Sequence, residues 1–319
     1  MVRTYNYANT QEDSNYLGEL FLVGAYQTPF LNMAGGIDGT RAKITRSFQF
    51  PVAQPWSLRA AGQPEVTEAG SVTANTATVI SRTQELNTVQ IFQETVEVSY
   101  VKQSTYGQLS GLSSSETTAG QPVNDEMAFQ KMAHLRQIAL DVDYTFLQGA
   151  HQAAANAATA AKTRGIITAC AGNNTVAAGA TALSKALIDE LLKTMADAGA
   201  VFENMVLFCN SFQKQKLSDV YGYAPEDRTV GGVNIQQVYT DFAPLGVVYA
   251  PNMPAATVLI ADMNYVYPVF CPVPGKSGLV FYEDLAPAAA SIRGQMYAQV
   301  GLDYGPKEYH GTITGLTTA

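Results

Sequence analysis

Between residues 57 and 83 the chain reads SLRAAGQPEVTEAGSVTANTATVISRT, whose large apolar side chains are Leu58, Val66, Val72, Val79 and Ile80. So sparse a segment cannot bury a core of its own. Loops of this length are usually functional or disordered. On either side the pattern changes to period two. In ITRSFQF, residues 44–50, Ile44, Phe48 and Phe50 share a face; in QIFQETVEVSYV, residues 90–101, Phe92, Val96, Val98 and Tyr100 do so. The alternation predicts two strands paired with each other, carrying the sparse segment as a pliant tip. An isolated hairpin is marginal in water. The pattern therefore predicts a neighbour for this arm to lie on.

Further along, NDEMAFQKMAHLRQIALDVDYTFLQGA, residues 124–150, carries a helical period. One apolar row runs Ala128, Met132, Leu135, Ala139, Val142, Phe146. A second runs Phe129, Ala133, Leu140, Tyr144, Leu147, interrupted by Arg136. Lys131, His134, Asp141, Thr145 and Gln148 share the remaining side and read as solvated. Asn124 caps the start, Asp125 and Glu126 put negative charge against the first-turn N–H groups, and Gly149 ends the helix as a left-handed residue. At roughly 1.5 Å per residue the helix over 124–148 is a rod about 36 Å long. Two apolar rows predict packing on both flanks and hence a structural spine. Phe129, Met132, Leu135, Leu140, Val142 and Phe146 are its packing residues.

The rest of the chain divides by texture. Residues 1–43 read as an extended arm, in which Thr28-Pro29 stops any helix and Gly35-Gly36 frees the backbone. Residues 104–123 are a Ser/Gly/Thr linker, and 151–163 are small residues of weak pattern. From Arg164 the texture is α/β. GIITAC reads as a short strand. A helix opens at Thr181 or Ser184, carries Leu183, Leu187, Leu191, Met195 and Ala198, and closes at Gly199. NMVLFCN, residues 204–210, is a buried strand, SFQKQKLSDVYG a short helix, and VNIQQVYT, GVVYAP and TVLIADM three further strands. In the tail, Met296, Ala298, Val300 and Leu302 alternate, and a turn at Gly305-Pro306 starts a return strand.

Charged residues make up only 14% of the chain, against roughly 25% in ordinary soluble domains. A surface this bland points to extensive contact with other protein. The net charge of −8 argues against tight sequence-independent gripping of phosphates. No apolar stretch reaches membrane-spanning length and the start is not a signal peptide, so a chain that stays where it was made is expected. Cys170, Cys209 and Cys271 are widely spaced and read as buried free thiols. No catalytic template fits. VPGKSG, residues 273–278, ends like a phosphate loop but has Phe270 where a glycine is required. His134, His151 and His310 stand far apart, and Asp141 and Asp143 sit about 200° apart around a helix. These residues, with Glu283-Asp284 and the pair Glu65/Glu68, read as structural or surface groups. No catalytic, cofactor or metal site is expected, and the chain is not expected to be an enzyme.

The ordered elements resemble the major capsid proteins of tailed bacteriophages, the Hong Kong 97-type fold shared with herpesvirus shells and encapsulins. The segments that carry the resemblance are NYLGELFLVGAYQTPFLNMAGG before the hairpin, IALDVDYTFLQGA at the spine end and TRGIITAC after it. LIDELLKTMADAGAVFENMVLFCNSFQKQKLSD, VVYAPNMPAATVLIADM and KEYHGTITGL follow in order. The resemblance implies an α+β fold in four parts: an N-terminal arm, 1–43; an extended hairpin arm, 44–101; a peripheral domain, 102–163 and 286–319, with the spine helix 124–148; and an axial domain, 164–285. It implies that the hairpin lies across a neighbouring subunit, with Leu58, Arg59, Val66, Glu68, Val79 and Arg82 as inter-subunit residues. It further implies homo-pentamers and homo-hexamers in the icosahedral head of a double-stranded DNA phage, assembled in the host cytoplasm. A portal, a separate scaffolding protein, a possible decoration protein and weak non-specific contact with packaged DNA are the implied partners; no membrane is. Some members fuse a scaffolding segment ahead of the arm; here the arm begins almost at Met1. Some cross-link an arm lysine; no Lys lies between Ile44 and Val101. Two other readings stay open: an encapsulin-like nanocompartment shell, and a secreted or tail-associated β-rich structural protein.

Overall fold

The computed structural model describes residues 27–37, 39, 41–63, 65–73, 79–102, 126–221, 237–287 and 289–318. Two sheets, seated back to back on a shared core, form the body. The longer strands follow from the closing sequence. β12, Ser291–Asp303, pairs antiparallel along one edge with β4, Gln90–Ser99. Along its other edge it meets β11, Val280–Leu285, and β10, Tyr267–Phe270, while β1, Lys43–Ile44, joins β10 in parallel. The second sheet has six strands in the order β5–β13–β9–β6–β8–β7, with ranges Thr175–Ala177, Gly311–Thr314, Val258–Asp262, Met205–Cys209, Pro244–Tyr249 and Gln237–Tyr239.

The apolar run of β6 is explained by burial on both faces. Val206 and Phe208 enter one core cluster, and Met205, Leu207 and Cys209 the other. The far face of this sheet is covered by α5, Lys185–Asp197, through Ile188, Leu191, Leu192 and Met195. Ser184 precedes α5 and Gly199, at φ 88°, follows it, as the sequence predicts. Gly311 lets α5 approach β13: a Cβ there would stand 2.8 Å from Leu191 Cδ1 and from Met195 Sδ. The inner face meets α1, Pro29–Ala34, the spine helix α3, Glu126–Gln148, and α4, Ile166–Cys170. A second surface helix, α6, covers Ser211–Tyr221.

Several expectations are corrected. Residues 44–50 do not pair with 90–101. The arm's strands are β2, Gln49–Ala53, and β3, Glu85–Thr88, while β4 belongs to the body beside β12. Alternation over 90–101 marks a half-buried sheet face but does not name the partner strand. GIITAC is helix α4: its β-branched residues favour a strand, but Ile166, Ala169 and Cys170 bury one helical face. Pro29 starts a helix, because its missing N–H costs nothing in the first turn. The tail does return after Gly305, yet β13 crosses into the six-stranded sheet to pair with β5 and β9. Sheet membership thus groups β10 and β11 with β12, and β13 with β6.

The spine runs over Glu126–Gln148; Asn124 and Asp125 lie outside the described residues. Val142 and Phe146 are fully buried, as expected, whereas Phe129 and Leu140 are half-buried and Met132 and Leu135 exposed. Ile138, in neither predicted row, is buried. The side read as solvated faces protein: Lys131 Nζ sits 3.7 Å from the Tyr282 ring centroid, and His134 Nδ1 lies 3.2 Å from Glu94 Oε2. Long polar side chains cover apolar sheet with their stems, which a binary pattern misreads as solvent. Gly149 keeps an ordinary φ; a Cβ there would stand 2.5 Å from Thr145 O and 2.6 Å from Thr163 O. It is glycine because the chain at 163–165 crosses the helix end.

Asp143 is also corrected. It is fully buried, accepting from Leu31 N at 2.9 Å and Asn252 Nδ2 at 2.7 Å. It therefore caps α1 from the spine. Burial raises its carboxyl above the ordinary range, and the hydrogen bonds from Leu31, Asn252 and Phe30 oppose the shift.

Candidate assembly interface

The arm is built in two parts with opposite physics. Its root is fixed. Asn87, fully buried, donates through Nδ2 to Leu302 O at 2.7 Å and Arg164 O at 3.2 Å, and accepts from Arg164 N at 2.7 Å. Arg164 Nη1 meets Glu85 Oε1 at 2.7 Å, and Tyr304 OH donates to the same carboxylate at 2.8 Å. Thr88 Oγ1 donates to Lys162 O at 2.6 Å. Phe50, Val89 and Val269 form a small apolar cluster beneath, with Phe50 lying over Gly301, where a Cβ would meet its ring at 2.8 Å. Buried polar groups satisfied this fully hold one geometry, since losing any partner leaves the others unpaired in low dielectric.

Beyond the root the support ends. Pro51 and Ala53 bracket a register shift, Trp56 bridges Arg82, and Thr83 N donates to Pro55 O at 3.2 Å. Among the described residues from Trp56 to Gln84 all but Gly70 are exposed. Among the described residues of the tip lies a short helix, α2, Glu68–Ser71, whose cap Thr67 accepts from Gly70 N at 3.1 Å. Leu58 is 68% exposed, Val66 63%, Val72 86% and Val79 91%, with Trp56 and Ile80 also more than half exposed. Single exposed apolar residues are ordinary; six along one arm are not. Arg59, Glu68 and Arg82 are exposed among them. All six residues predicted for inter-subunit contact thus stand free of the body, and sequence reasoning left Trp56 out of that set. Its signal was available: it is the chain's single Trp, in a polar stretch.

A second surface lies on the spine. Val142 and Phe146 are covered, but the same row continues toward the N-terminus as exposed Leu135, Met132 and Ala128. Met132 is 46% exposed and Leu135 42%. Among the described residues no group of three His, Cys, Asp or Glu is placed to hold a metal ion. No helix there is long and apolar enough to cross a membrane.

A two-sheet body, a spine along the five-stranded sheet and an apolar arm hydrogen-bonded to the body at its root define the subunit class of Hong Kong 97-type shells. The chain belongs to the SU10 major capsid protein family, whose profile matches residues 3–317. Its role is that of a major capsid protein. The fold agrees with solved structures at low identity. The capsid asymmetric unit of cyanophage A-1(L) has a TM-score of 0.63 at 12% identity, covering 99% of each chain. The capsid of mycobacterium phage Che8 has a TM-score of 0.55 at 14% identity, covering 97% of this chain and 98% of that one. The SrpI encapsulin of Synechococcus elongatus PCC 7942 has a TM-score of 0.56 at 11% identity, covering 97% and 93%. No curated protein sequence matches the chain.

Proposed function

We propose that this subunit closes into pentamers and hexamers of an icosahedral phage head, each arm lying across an adjoining copy. The apolar arm carries the reading. Its side chains gain about 25 cal/mol for each Å² of apolar surface removed from water, and among the described residues they stay exposed. The exposed spine residues Met132 and Leu135 are the matching surface for a neighbour's arm or N-terminal segment. The residues around β7 and the six-stranded sheet form the axial region, and the five-stranded sheet with the spine the peripheral one. Summed over several neighbours, each subunit buries well over the roughly 1,600 Å² of a standard interface. Mild contacts repeated many times leave assembly errors reversible. The role is structural rather than enzymatic. A portal, a separate scaffolding protein and a decoration protein are the remaining partners, assembly takes place in the host cytoplasm, and contact with packaged DNA is weak and non-specific.

Trp56 provides a built-in reporter. Its emission in the unassembled subunit is expected near that of free indole in water, moving to shorter wavelength as shells form. An emission maximum unchanged through assembly contradicts the arm contact.

The arm's cations between Ile44 and Val101 are Arg46, Arg59 and Arg82, with no Lys to form an isopeptide bond. Denaturing electrophoresis of mature particles is therefore expected to give one band near 34 kDa. A ladder of covalent multimers contradicts this.

A further inference from the structure

The two sheets meet at a corner made by three chain segments. β9 of the six-stranded sheet ends at Asp262, β12 of the five-stranded sheet runs out at Asp303–Tyr304, and His310 leads into β13. The His310 ring is fully buried at this corner. Asp262 N donates to its Nδ1 at 3.2 Å, and its Nε2 lies 2.5 Å from Tyr304 O. A backbone N–H only donates and a carbonyl only accepts, so the ring is held as one neutral tautomer with the proton on Nε2. One imidazole thereby ties the six-stranded sheet to the end of β12. Asn174 Nδ2 fixes the same turn, donating to Glu308 O at 2.6 Å and His310 O at 3.1 Å.

We propose that His310 is an acid-released latch between the two sheets: a second proton, on Nδ1, would face the Asp262 N–H and drive the ring out of the seam. Two donors aimed at each other in a dry site forfeit the hydrogen bond and leave the charge unsolvated. The surrounding charges do not rescue it. Asp262 is the charge that favours protonation, and its carboxylate is already engaged by the N–H groups of Glu203, Asn204 and Asn264. Lys307, Glu308 and Tyr309 lie on the 3-10 turn before the ring, and Glu203 and Tyr265 flank Asp262. Tyr265 and Tyr304 are raised by desolvation and stay neutral in acid. Burial holds the His310 imidazole down at about 4, below the ordinary value of about 6.5.

The sign follows. Above pH ~6.5 neither the folded nor the unfolded chain protonates this group, and its contribution is fully present. As pH falls toward 4 the unfolded chain takes up a proton that the folded one refuses, so stability is lost across that window. By pH 4 the ratio of folded to unfolded protein has fallen through this group on the order of 100-fold.

The test compares unfolding of the wild-type chain and His310→Asn between pH 7 and 4. The carboxylates are the same in both, so the wild type is expected to lose on the order of 100-fold more of its folding equilibrium than the variant over that range. Equal pH dependence overturns the latch. A variant that fails to fold is replaced by hydrogen exchange on the wild-type chain, corrected for intrinsic rate. Segments 258–264 and 302–312 are then expected to lose protection together below pH ~4 and before the rest of the body. Protection persisting there at pH 3, or lost first elsewhere, overturns it.

Discussion

Phe146→Ala is expected to lower the unfolding free energy by about 3–5 kcal/mol, the range for emptying a fully buried aromatic site. Phe146 is 0% exposed in the cluster where Phe30 of α1, Ile166 of α4 and Phe208 of β6 converge on the spine. These elements come from distant parts of the chain, so the void cannot be closed by one local shift. Leu135→Ala, in the same heptad-like row, is the control. Leu135 is 42% exposed, and its loss is expected to change the unassembled subunit by no more than ~0.5 kcal/mol. Urea titration of unassembled protein separates them. Equal effects would mean that the spine's two halves are covered alike.

The second large effect concerns assembly without folding. Trp56 and Arg82 are bridged, so residues 57–81 can be replaced by an Asn-Gly turn that matches strand twist. Everything described between them is exposed apart from the half-buried Gly70, and the polar root at Asn87 and Arg164 is retained. The shortened chain is expected to unfold cooperatively at the denaturant midpoint of the full chain and to form no closed particles. Shells of normal appearance would show that the arm is dispensable. Loss of the cooperative transition would show that the tip supports its own body.

The contrast between tip and root also explains what the sequence disclosed. The tip was legible because the sparseness of large apolar residues over 57–83 is a local property. Both faces of β6 and the apolar face of α5 were legible for the same reason: burial writes itself into period and composition. The root was not. Asn87, Arg164 and Glu85 are individually ordinary polar residues, and only the fold brings Arg164 beside Glu85 and Tyr304. Strand partners were equally hidden. The alternation in 90–101 shows which face is buried and says nothing of whether 44–50 or 291–300 lies alongside. Asp143 was misread for a related reason: its two partners, Leu31 and Asn252, are both more than 100 positions away. Gly149 was assigned the right residue type for the wrong cause, a tight crossing in place of a left-handed turn.

Everything rests on the outstretched β finger gaining its partner from another copy. High-resolution electron microscopy of assembled particles tests this most directly. The account predicts closed shells in which Trp56, Leu58 and Val79 are buried against an adjoining subunit while the Asn87 root keeps its geometry. A lone globule of about 34 kDa with the finger folded onto its own surface, or shells in which those side chains still face solvent, would contradict it.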